Sequence, residues 1–120
     1  MKKVFRLALF FLALMLILSA CSAKISSSLI KSYPPLDYDL EVMVLGLNDE
    51  VPFEAEHIGT IRIGDSGFST NCRYDVVIDL AKLEARKVGG DAIKIVKHNQ
   101  PDVWSSCHRI TAEILKLNDQ

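Results

Sequence analysis

The stretch NCRYDVVIDLAKLEARKVGGDAIKIVK, residues 71–97, decides the fold. Tyr74, Val77, Ile78, Ala81, Ala85 and Val88 recur at three- and four-residue steps, which gives a helix one apolar face. Lys82, Glu84, Arg86 and Lys87 fall mostly on the solvent side. The spacing predicts a helix over 71–88, with Asn71 as its N-cap and Asp75 in the early turns, where the macrodipole favours an anion. Gly89-Gly90 supplies the C-cap. Ala92 to Lys97 then reads as a strand.

Outward from that unit, Ile58 to Ile63 alternates, with Ile61 and Ile63 on one face and Thr60 and Arg62 on the other; Gly64-Asp65-Ser66-Gly67 breaks it. Leu40 to Leu47 is an aliphatic stretch closed by Gly46 and Asn48-Asp49, a strand followed by a turn. Cys107 to Leu117 is the last strand, with Ile110, Ala112 and Ile114 on one face against Arg109, Thr111 and Glu113. The expected architecture is an α/β two-layer (α+β) domain over residues 39–118. Its expected order is β-β-α-β-β, one helix packed on a small, mostly antiparallel sheet.

The N-terminus reads differently. Lys2, Lys3 and Arg6 precede an unbroken run of twelve apolar residues, Leu7 to Leu18, and no acid occurs before Lys24. These are the charged and apolar regions of a secretory signal, and the run is short for a spanning helix, which needs ~20 apolar residues. It ends in Leu18-Ser19-Ala20-Cys21, which resembles the bacterial lipobox at all four positions. Two small residues let a peptidase approach the bond, and the thiol after it is the nucleophile that accepts a diacylglyceryl group. Residues 1–20 are therefore expected to be a signal peptide and Cys21 the lipidated first residue of the mature chain. Two or three acyl chains, at ~0.8 kcal/mol per buried CH₂, anchor it effectively permanently.

Residues 21–38 then read as a lipidated N-terminus and flexible tether, with Ser22, Ser26, Ser27, Ser28 and Ser32 followed by Pro34-Pro35. As a coil, residues 22–38 reach ~20–25 Å. Removing Lys2, Lys3 and Arg6 from the fourteen cations leaves eleven against fifteen acids, a mature net charge of −4. That argues against nucleic acid as a partner and against a polybasic membrane patch.

With Cys21 carrying lipid, Cys72 and Cys107 remain, an even pair in an oxidising compartment. A structural disulfide is the preferred reading. The alternative gathers Cys72, Cys107, His98 and His108 as metal ligands, but zinc needs about four groups converging tetrahedrally and no compact ligand spacing occurs. Cys72 sits at the helix N-terminus beside Arg73, where a free thiol would be reactive, which keeps a thiol-redox module among the alternatives. Arg109 beside Cys107 reads as a solvated strand residue. Gly64-Asp65-Ser66-Gly67 looks superficially like the nucleophile motif of trypsin-like proteases. A double β-barrel does not fit in 100 residues, and His57 lacks the context of that family's base, so the segment reads as a turn and a hydrolase is improbable. Trp104, the only tryptophan, lies in the connection from His98 to Ser106; it ordinarily folds back to cap the core, and alternatively anchors an interface.

The segment from Gly64-Asp65-Ser66 through Cys72, the helix, Gly89-Gly90-Asp91-Ala92-Ile93 and the strand at Cys107 resembles the RcsF-like family of outer-membrane lipoproteins, which sense envelope stress for the Rcs phosphorelay. The same helix–glycine–strand unit is similar to the small YbjQ-like, heavy-metal-binding class of α/β domains. The first resemblance implies a lipobox, a proline-containing tether, a small α/β domain and a bridge between Cys72 and Cys107. The function expected is that of a non-enzymatic envelope lipoprotein, an interaction or stress-sensing module. It would be held by lipid, face the periplasm from the outer membrane, and bind another envelope protein. Trp104, Asp65, Ser66 and Phe68 are the candidate contact residues, and no cofactor or metal is expected beyond the lipid on Cys21. Ser22 at the second mature position resembles outer-membrane sorting in enteric bacteria.

Overall fold

Ile61 and Ile63 on one strand and Ile110, Ala112 and Ile114 on its neighbour are each at most 3% exposed, because a helix lies across the face they share. A computed structural model of the chain describes residues 1–17, 23–65 and 71–117. Its elements in chain order are α1 (Lys2–Ile17), β1 (Lys24–Leu29), β2 (Met43–Leu45), β3 (Glu56–Gly64), α2 (Tyr74–Lys87), β4 (Ala92–Asn99) and β5 (Arg109–Lys116). The strands form one sheet in the order β1-β3-β5-β4-β2. All neighbours are antiparallel except β2 and β4, which run parallel.

This corrects the expected β-β-α-β-β order with a single helix. The described residues hold two helices and five strands, and the sheet is mixed. Only α2 lies on the sheet; α1 touches no other element and exposes Phe5, Phe10, Phe11 and Met15. The expected strand over 40–47 contracts to Met43–Leu45, and it enters the sheet at the β4 edge.

The largest departure lies in the stretch expected to be a flexible tether. Lys24–Leu29 is an edge strand whose six residues pair with β3, from Lys24 opposite Gly64 to Leu29 opposite Gly59. Its sequence, Lys-Ile-Ser-Ser-Ser-Leu, has the composition of a linker, but an edge strand needs only one neighbour's backbone groups and little apolar surface. The following residues are docked as well. The N–H groups of Ile30 and Lys31 both donate to the Ile58 carbonyl, and Tyr33 and Leu36 donate to the carbonyls of Val88 and Arg86 at 3.0 and 2.9 Å. Those two carbonyls lie at the α2 C-terminus, where helix carbonyls lack intrahelical partners, so the Tyr33–Leu36 segment caps the helix from outside. The Arg86 guanidinium donates back to the Asp37 carbonyl at 2.6 Å.

The helix ends as its glycines require. Gly90 N–H bonds to the Ala85 carbonyl and Gly89 N–H to that of Arg86, the paired bonds of a Schellman ending. Gly89 has φ +80°, and a Cβ there would meet the Pro34 carbonyl at 2.5 Å, so it serves both the turn and the docked proline segment. At the other end the cap is Arg73, not Asn71, and no side chain accepts from the first turn.

Candidate functional site

The disulfide, two of the three histidines and the tryptophan loop gather at one end of the sheet, where β3 and β4 finish and β5 begins. There the Cys72–Cys107 disulfide ties the entry of α2 to the entry of β5, with a Cα–Cα distance of 5.0 Å and a sequence separation of 35. Cys107 is fully buried and Cys72 nearly so. The His108 N–H donates to the Cys72 carbonyl at 3.2 Å, which adds a backbone link beside the bond. With both sulfurs bonded to each other, the four-ligand set of Cys72, Cys107, His98 and His108 is not open to a metal in the oxidised chain. Among the described residues, no group of three or more histidine, cysteine or acidic side chains converges on a metal position.

The two histidines do meet. His98 Nε2 and His108 Nδ1 lie 2.9 Å apart, so one ring nitrogen carries the proton and the other accepts it. Tyr74, in the first turn of α2, stacks on His98 with centroids 4.8 Å apart and meets His108 edge-on at 5.7 Å. The β4–β5 register explains the meeting: it slips between Ile95 and Lys97, leaving Val96 extra. An extra residue reverses the alternation of every side chain beyond it, and so His98 turns to the helix side while Lys97 turns to the open side.

Burial, and then the neighbouring His108, hold the His98 imidazole below its ordinary pKa. The folded state therefore binds a proton at His98 less readily than the unfolded chain does. Stability is complete above the unfolded value of about 6.5 and declines as pH falls through that value towards the folded one. The denaturant midpoint is expected to drop between pH 7.5 and 5.5, and His98→Gln should flatten that slope. A midpoint independent of pH across that interval in the parent chain would contradict the assignment.

Trp104 does not fold back onto the core. Trp104 and Val103 are 91% and 93% exposed, the tip of a loop from Gln100 to Ser106. The loop is nevertheless well anchored. Asp102 Oδ1 accepts the N–H groups of Trp104 and Ser105, both at 2.9 Å, and the Asp102 N–H donates to the Ser105 carbonyl. Arg109 Nη2 bridges Asp102 Oδ2 and the Gln100 carbonyl, each at 3.0 Å. Arg109 is thus the brace of the loop and not merely a solvated strand residue. Its hydrogen bond, aided by the Trp104 and Ser105 amides, holds the Asp102 carboxyl below the usual carboxylate range. Ser105 Oγ donates to Asp65 Oδ2 at 2.6 Å and accepts from the Cys107 N–H at 3.2 Å, which ties the loop to the end of β3 and to the disulfide.

Of the expected contact residues, Asp65 and Trp104 thus belong to one hydrogen-bonded assembly, Asp65 within it and Trp104 projecting from it. Cys21, Ser66 and Phe68 lie outside the described residues. Asp102 and Ser105, which build the loop, were not singled out in the sequence. The available signal was an aspartate two and three residues before two backbone amides it can bond, the pattern of an Asx turn. Comparison with protein-family models, with curated proteins and with solved structures returned no match.

Proposed function

We propose that this chain is a bacterial lipoprotein anchored through acyl groups on Cys21. Its disulfide-stapled domain is a non-enzymatic module that engages another component of the cell envelope through the Val103–Trp104 tip. The observation that carries the engagement is the exposure of two large apolar side chains on a loop whose backbone is already organised. A pre-ordered loop loses little conformational entropy on contact, and tryptophan is enriched among residues that dominate binding energy. The anchor is supported by the basic N-terminus, the apolar run and the Leu18–Cys21 tetrad. The RcsF-like resemblance supplies the stress-sensing role and the outer-membrane location.

Site-specific photocrosslinking in living cells tests the engagement. A photoreactive residue at Trp104 is expected to give a discrete adduct, whether to protein or to lipid, whereas the same residue at Asp79, exposed on α2, should not. Equal, diffuse labelling from both positions would contradict the proposal. Trp104→Ala should leave the unfolding free energy within about 0.5 kcal/mol of the parent, because so exposed a side chain contributes little to folding.

A further inference from the structure

We infer that the component met by the Val103–Trp104 tip is the anionic phospholipid headgroup layer of the membrane that holds the chain's own lipid. The inference rests on the lipid-anchor reading and begins from the length of chain available. Two residues, Ser22 and Ala23, separate Cys21 from Lys24, where the sheet begins, and those three backbone steps span at most about 11 Å. The domain is therefore held at the headgroup layer and is not suspended 20–25 Å from it. The end held there is also known, because Lys24 pairs with Gly64, beside the start of β5 and the end of β4.

That end carries the chemistry of an interfacial surface. Arg62 on β3 and Lys97 on β4 both lie directly opposite Thr111 on β5, so the three form one row across the open face. Lys24 and Arg109 lie on the same face one pleat nearer the end, since paired residues and residues two apart share a face. Together they flank a cleft of about 160 Å³ bounded by Arg62, Lys97, Asn99, Arg109 and Thr111. Asp102 offsets Arg109, but among the described residues neither Arg62 nor Lys97 has an ion pair or hydrogen-bond partner. The loop bearing Trp104 leaves β4 at this same end, and an indole beside cations is the arrangement that suits a membrane–water boundary.

Asp65 also lies at this end, bonded to Ser105, and Lys31, Arg86 and Lys94 lie at the other, but most of the remaining acid is at that other end. Residues 37–56 contain seven acids and no lysine or arginine, and they lie around the opposite end of the sheet, where β2, β3 and β4 begin. Tyr38 and Phe53 are as exposed as Trp104, but they sit within that acidic stretch, which an anionic surface repels. The mature net charge of −4 thus conceals a polarity, with the basic end beside the anchor. This is the membrane-facing basic patch that composition alone argued against.

Trp104 is the only tryptophan, so its fluorescence reports this loop alone. The test uses the lipidated chain, its acyl mass verified, reconstituted into vesicles of phosphatidylglycerol with phosphatidylcholine and into vesicles of phosphatidylcholine alone. With phosphatidylglycerol present, the emission should move to the blue and be quenched by brominated lipid; high salt or pure phosphatidylcholine should weaken both effects. Each cation near an anionic surface is worth about fivefold in partition, so the triple variant Lys24→Gln, Arg62→Gln, Lys97→Gln should lower the docked-to-undocked ratio about a hundredfold while staying anchored. Emission quenched by iodide and not by brominated lipid, in protein that carries its acyl chains, would overturn the docking and leave the anchor standing. An adduct from position 104 to a single protein, with Trp104 unquenched by lipid, would overturn it in favour of a protein partner. Absence of the acyl mass would remove the anchor, and the docking with it.

Discussion

Replacing Cys72 and Cys107 together with serine is expected to lower stability by about 3–4 kcal/mol, the chain-entropy value for opening a loop of this length. A domain of this size has a total stability near the low end of the usual ~5–15 kcal/mol, so the loss takes up much of it. With a urea dependence of about 1–3 kcal/mol per molar, the midpoint should fall by 1 M or more. The effect should also be local. The bond ties the entry of α2 to that of β5, so amide exchange should rise first in the Gln100–Ser106 loop and the first turn of α2. Replacing both cysteines avoids a lone reactive thiol. An unchanged midpoint would show that the bond is not a staple and would favour a redox role for Cys72.

A second large effect is expected from Ile114→Ala. Ile114 is 1% exposed on β5, the central strand, and its side chain fills the space that a Cβ at Gly90 would enter. Truncation removes buried methyl groups and leaves a cavity beside the helix terminus, at a cost of about 2–5 kcal/mol. Ile25→Ala on β1 is the matched comparison. Ile25 is 36% exposed on an edge strand, and its loss should cost well under half as much. Similar urea midpoints for the two variants would contradict the placement of the core over β5.

The helix and its ending were legible because two independent signals coincide there. The apolar steps from Tyr74 to Val88 define a face, and Gly89-Gly90 gives the one backbone that reverses the chain tightly enough. The cysteine pairing was legible from the even count left once Cys21 is set aside, and the structure bears the pairing out. β1 was not legible. Three consecutive serines carry no period, and its pairing depends on the unfilled edge of β3, a property of another segment. The meeting of His98 with His108 was hidden for a related reason: it depends on the slip at Val96, which reverses the strand's facing and leaves no mark on local composition. Trp104 shows the limit of burial preferences. A tryptophan in a short loop ordinarily caps a core, but here Asp102, Ser105 and Arg109 hold the loop outward, through bonds between residues as far apart as Asp65 and Ser105.

The central claim is that Cys21 carries the lipid that fixes this domain at a membrane. Mass spectrometry of the N-terminal peptide, taken from protein purified out of the membrane fraction, tests it most directly. The expected mature chain begins at Cys21 with acyl groups attached, and Cys21→Ala should accumulate as the uncleaved, unacylated precursor. A mature chain that begins at any other residue and carries no acyl mass would contradict the account.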